Sequence, residues 1–197
     1  MAARSRTLVV GVFVFALAAS ACDLPSLREA RKSADALPET SFIYSADGAL
    51  ITTLHAGENR VVVRARKIPD VVRDAVIAIE DQRFYDHSGL DVRALLRAAY
   101  RDATTGEVVE GGSTITQQLV KKLYVGDEQT VGRKIREAYL AWQLERRMSK
   151  DRILTRYLNT VYFGNGAYGI KAASETYYGV EPLELTLSQA ATLAGLI

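Results

Sequence analysis

Glu80, Asp81 and Asp86 crowd into the segment from Ile79 to Gly89 with His87, one of only two histidines, directly after an apolar run. Carboxylates beside an imidazole offer either a metal cage or proton transfer. The cage has little to build on: there is one cysteine, the histidines are His55 and His87, and no His-Glu-x-x-His occurs, so carboxylates would have to do most of the ligation. A serine nucleophile is also poorly supported, because no serine lies in a nucleophile elbow. The frame from Gly106 to Gly111-Gly112-Ser113 imitates a phosphate loop but puts glycine where the lysine must stand. What remains is Glu80 as a general acid or base. It closes an apolar helix face, where partial desolvation tunes a carboxyl group for proton transfer. Asp81 points elsewhere and orients neighbours, and Phe84, one turn on, holds the segment down. The competing reading makes Glu80 a surface helix residue paired with Arg73 or Arg83.

Two further stretches carry polar chemistry. In Gly111-Gly112-Ser113-Thr114-Ile115-Thr116-Gln117-Gln118 the glycines admit close backbone approach, and the hydroxyls either cap the next helix or meet a sugar or phosphate. Gln117 and Gln118 add amide groups suited to hydroxyl-rich substrates, while the plain reading is a glycine turn with a capped helix. Arg133, Lys134 and Arg136 then surround Glu137 near a helix start. Arg133 and Glu137 stand four apart and can pair, or the cations and the carboxylate together can hold a pyrophosphate with a divalent ion.

These groups need a scaffold, and the chain is long enough to supply one. Its 197 residues are 48% hydrophobic and 24% charged, which fits a single folded domain. The net charge of +2 gives no argument for nucleic acid, but basic residues concentrate between Lys121 and Arg156, which points to a local anionic partner.

At the N-terminus, Arg4 and Arg6 precede an apolar run from Leu8 to Ala19, the layout of an export signal and short for a membrane span. Cys22 follows Ala19-Ser20-Ala21, which resembles a lipoprotein processing site. Residues 1–22 therefore read as an export signal or a membrane or lipid anchor, with Cys22 as the candidate lipid attachment point. Residues 23–40 read as a polar, alanine-rich linker.

From residue 41 onward the elements are mostly helical. Ser41 to Tyr44 and Ala49 to Leu54 flank Asp47-Gly48 as a hairpin, and Arg60 to Arg64 reads as a third strand. Val72, Ala75, Val76 and Ile79 trace an apolar helix face that ends at Glu80. Further helical runs cover Leu90 to Tyr100, Ser113 to Tyr124, Thr130 to Arg147, Ser149 to Phe163, Tyr168 to Tyr178 and Thr186 to Ile197. Ser149 is the expected cap of its helix, whose face includes Ile153, Leu154, Tyr157, Leu158, Val161 and Tyr162.

The stretches "EDQRFYDHSGLD", "GGSTITQQLVKKLY", "RKIREAYLAWQLE" and "KDRILTRYLNTVYFGNGAYGIKAAS" resemble the first four ordered motifs of the peptidoglycan glycosyltransferases of family 51. These are the glycan-polymerising domains of class A penicillin-binding proteins and of monofunctional transglycosylases. The resemblance covers 41–197 and implies a mainly α, lysozyme-like domain with a small membrane-proximal lobe and a short N-terminal β-hairpin. It implies lipid II and a growing glycan strand as substrates, a place at the extracytoplasmic face of the cell membrane, and possible contact with other cell wall synthesis proteins. Glu80 matches the family's general base. Glu137 matches its second essential glutamate, which helps stabilise the departing pyrophosphate and would ligate a divalent cation, Mg2+ or Mn2+. Lys121, Arg133 and Lys134 match the cations that meet the pyrophosphate. Ser113, Thr114, Gln117 and Gln118 match donor-site residues, with Asp81 and Phe84 as supports.

Two departures stand out. Gln129 replaces an arginine that many members carry ahead of the third motif, and the fifth motif is not in this sequence, so the chain is expected to be a C-terminally truncated piece. No Ser-x-x-Lys occurs in these residues, so they hold no transpeptidase site. The readings that compete with polymerisation are a lysozyme-like lytic transglycosylase and an inactive glycan-binding envelope lipoprotein.

Overall fold

The computed structural model describes residues 27, 37–55, 57–97, 112–125 and 130–197. The expected signal, Cys22, most of the linker, Gly106 to Gly111 and Gln129 lie outside the described residues. Helices dominate, as the sequence predicts. They are α1 (Asp70–Glu80), α2 (Ile115–Val120), α3 (Val131–Glu145), α4 (Lys150–Leu158), α5 (Ile170–Tyr178) and α6 (Leu187–Ala194). Residues 92–97 add a short helical stretch. Among the described residues no helix is long and apolar enough to cross a membrane.

The hairpin forms as its turn residues dictate. Strands β1 (Ser41–Tyr44) and β2 (Leu50–Leu54) pair antiparallel, and Gly48 takes the positive φ of 86° that its place in the turn requires. All nine strand residues are exposed, so the hairpin contributes nothing to the core. The expected third strand does not extend to Arg64. Only β3 (Asn59–Arg60) pairs, in parallel with β4 (Ala167–Tyr168), so the start of the expected helix at Tyr168 is strand as well. Beyond β3 the backbone of Val63 pairs with the Asn159 side chain and not with a strand. The Asn159 Oδ1 accepts from the Val63 N–H at 2.8 Å, and its Nδ2 donates to the Val63 carbonyl at 3.0 Å.

The core gathers around α2, a helix buried on nearly every side. Ile115, Leu119 and Val120 are fully buried, and α2 packs against both α3 and α4. A helix of six residues cannot hold itself together, so local bonds must fix its start. Thr114 does this with a capping box: its hydroxyl accepts from the Gln117 N–H, and the Gln117 side chain accepts from the Thr114 N–H. After α2 the chain widens into a π-helical turn, Lys121–Val125. Thr130 caps α3 by accepting from the Arg133 N–H, whereas Ser149 stands at the cap position of α4 without the expected side-chain bond.

The remaining helices enclose this centre. α1 packs on α6 through the face carrying Val72, Ala75 and Val76. Ile79, one residue before the end of α1 and on the same face, is nevertheless 54% exposed. On α4 the buried face holds Ile153, Leu154, Tyr157 and Leu158, while Tyr162, expected to continue it, lies beyond the helix end and is partly exposed.

Candidate active site

Glu80 is the last residue of α1, at the point where the apolar face gives way to a sequence of turns. Neither arginine offered as its partner takes it. Arg73 donates to the carbonyls of Ala65 and Ile68, and Arg83 pairs with Asp91 at 3.2 Å and Asp86 at 3.9 Å. Instead, the Gln118 Nε2 on α2 donates to Glu80 Oε2 at 2.6 Å. The Gln118 carbonyl oxygen accepts in turn from the Tyr157 hydroxyl at 2.9 Å. Burial, with the negative charge of Glu80 adding to it, pushes the Tyr157 hydroxyl well above the usual phenol range, so it remains a donor.

The turns after Glu80 are locked from behind. Asp81 and His87 are both almost fully buried, and the His87 Nε2 lies 2.9 Å from each Asp81 oxygen. Asp81 Oδ2 also accepts from the Ile115 N–H at 3.1 Å, which ties the end of α1 to the start of α2. A carboxylate only accepts, so the His87 Nε2 carries the proton in this contact. Phe84 is fully buried under the Lys150 ammonium, 4.4 Å above its ring, and Lys150 pairs with Glu145 at 2.8 Å. Gly89 has a φ of 83°, and a Cβ there would lie 2.8 Å from the Trp142 backbone nitrogen of α3. Only glycine fits that approach. Its carbonyl accepts from the Thr114 hydroxyl at 2.7 Å. Asp91 shares this corner: burial works to raise its pKa, but the Ala94 N–H and the Arg83 guanidinium outweigh it and hold the carboxyl below its usual range.

The second carboxylate sits in a different setting. Glu137 is 1% exposed; its Oε2 accepts from Arg133 Nη1 at 2.9 Å and its Oε1 from Lys134 Nζ at 2.8 Å. The Lys134 ammonium also donates to the Ser113 hydroxyl at 2.7 Å and remains about half exposed. Arg133 keeps a buried Nε without a hydrogen-bond partner among the described residues. Lys121 opens the π-helical turn, half-buried, and makes no ion pair among the described residues.

The glycine-flanked stretch thus splits its work. Thr114 and Gln117 are buried and spent on capping α2, Ser113 steadies Lys134, and Gln118 grips Glu80. Ser113 and Gln118 lie five residues apart in sequence, so this one short stretch meets both the Lys134 ammonium and Glu80. The sequence pattern marked both groups but missed Tyr157, taken only for a core residue. A buried tyrosine hydroxyl needs a partner, and that was the available signal.

Glu137 does not fit a resident metal ion. Both of its oxygens already meet cationic nitrogens, and a hard divalent ion needs several oxygen donors. Among the described residues no group of three or more histidine, cysteine or acidic side chains comes together.

The family described as Transglycosylase matches residues 47–197. The chain belongs to that family. It is 47% identical over 160 residues to penicillin-binding protein 1F of Bacillus subtilis (strain 168), covering 81% of this chain and 22% of the relative. It is 41% identical over 187 residues to penicillin-binding protein 1A of Neisseria lactamica, covering 95% of this chain and 23% of the relative. The corresponding protein of Neisseria gonorrhoeae is 42% identical over the same span. The chain spans less than a quarter of the length of these relatives.

Proposed function

We propose that this chain is a peptidoglycan glycosyltransferase that polymerises lipid II into β-1,4-linked strands at the extracytoplasmic face of the cell membrane. The observation that carries the reading is the contrast of the two carboxylates. Glu80 keeps Oε1 without a hydrogen-bond partner among the described residues, while Glu137 holds Arg133 and Lys134 in place.

In this reading Glu80 Oε1 removes the proton from the acceptor sugar hydroxyl as that oxygen attacks the anomeric carbon of the donor strand. The anomeric carbon–oxygen bond breaks with inversion, and its electron pair leaves on the polyprenyl pyrophosphate. Arg133, Lys134 and Lys121 meet the negative charge that develops there, and fixed cations are most effective where charge grows in the transition state. The divalent cation, Mg2+ or Mn2+, belongs with the pyrophosphate of the substrate. The lysozyme-like arrangement with a membrane-proximal lobe, the membrane tether and contacts with other cell wall synthesis proteins are part of the same proposal.

Labelled lipid II incubated with the intact chain in detergent tests it, with Glu80→Gln and Glu137→Gln as controls. Polymer from the parent chain and none from Glu80→Gln supports the reading. Polymer from Glu80→Gln overturns the assignment of the base, release of fragments from preformed glycan marks a lytic enzyme, and binding without turnover marks a glycan-binding protein.

A further inference from the structure

The contact between Gln118 and Glu80 does more than hold a side chain, and we propose that Tyr157 and Gln118 together direct the transferred proton to Oε1 of Glu80. The inference rests on Glu80 being the base.

An amide can face a carboxylate in two ways, and only one is sound here. An ionised carboxylate accepts and never donates, so the Gln118 amide must turn its NH2 toward Glu80. That leaves the amide carbonyl pointing into the core at α4, where it needs a donor. Tyr157 supplies one: it is 1% exposed, its hydroxyl lies 2.9 Å from that carbonyl, and burial keeps the hydroxyl protonated. The hydroxyl therefore fixes the amide, and the amide fixes Oε2. The flipped amide would set its oxygen against a carboxylate oxygen at 2.6 Å, lone pair to lone pair.

The chemical consequence follows from what each oxygen does during the reaction. Before transfer, Oε2 accepts from Gln118. After transfer the proton sits on Oε1, and Oε2 is the carbonyl oxygen of a neutral acid, which still accepts. The Gln118 bond survives both protonation states only if the proton goes to Oε1. Tyr157 never touches the reacting atoms, so it is a positioning residue that acts through Gln118.

The test compares Tyr157→Phe, Gln118→Leu and the double variant in steady-state polymerisation of lipid II by the intact chain, with Glu80→Gln alongside. Tyr157→Phe is expected to lower kcat about tenfold to a hundredfold while KM moves less than about twofold. In the Gln118→Leu background the same tyrosine change should cost nothing further in kcat, since the relay is already cut.

A parental kcat in Tyr157→Phe, with Glu80→Gln inactive, overturns the relay and leaves the base intact. An equal loss from the tyrosine change in both backgrounds overturns it too, by showing an effect independent of Gln118. If Tyr157→Phe does not fold, Gln118→Leu decides: a fall in kcat with KM little changed supports the relay, and a parental kcat overturns it. Activity in Glu80→Gln overturns the base itself.

Discussion

Glu80 and Glu137 are the same side chain in opposite circumstances. Glu137 sits nearly two turns into α3, fully buried, with each oxygen against a cation. Glu80 sits at the end of α1, partly exposed, with one oxygen held by an amide and the other open. A carboxylate locked between two cations has both oxygens engaged in holding those charges in place. A carboxylate held by a single neutral donor keeps its second oxygen for another partner. In the proposed reading, charge placement and proton transfer are separated by what packs around each glutamate, with no difference in residue type.

Substitutions break this comparison in a reciprocal way. Glu80→Gln should cost about a thousandfold in polymerisation rate, the scale of a lost general base, while shifting the urea midpoint little. Glu137→Gln should cost about a hundredfold in rate and, unlike the first change, about 3 kcal/mol of stability read by urea unfolding, because it leaves the mostly buried Arg133 without its counter-charge. Equal stability losses in the two variants would erase the distinction.

Lys134→Met removes only the half-exposed partner, so about a tenfold loss of rate is expected, with little change in stability. Asp91 gives the smallest and most specific readout. Its folded carboxyl is held below its usual range, so its stabilisation is present in full above about pH 4 and is lost as pH falls through the lowered value. The urea midpoint of Asp91→Asn should therefore fall less between pH 5 and pH 3 than that of the parent.

Much of this arrangement was legible in the residues themselves. The apolar spacing in α1 and α4, the Asp47-Gly48 turn and the threonine before α2 all act as their local chemistry predicts, because each depends on neighbours within one turn. The four-residue spacing of Arg133 and Glu137 likewise became an ion pair. The failures share a cause in distant partners. Val61 to Val63 look like a strand, but the Val63 backbone is taken up by Asn159, nearly a hundred residues away. Gln117 and Gln118 look alike, yet one caps its own helix and the other reaches across to α1. Nothing in their spacing tells which amide turns inward. Tyr157 carries the same apolar-face signature as Leu154, and its second task becomes visible only when Gln118 is placed beside it.

The brevity of α2 has a consequence for how the centre comes apart. Six residues are far below the roughly 12–15 at which an isolated helix becomes even marginal in water, so α2 persists only while its neighbours grip it. Its first N–H is held by Asp81, its side chains by α3 and α4, and its polar ends by Glu80 and Lys134. Loosening any one grip therefore melts the element that carries the others. Glu80 and the cation cluster should assemble and disperse as one cooperative unit, and the amide protons of α2 should exchange with solvent in step with those at the end of α1.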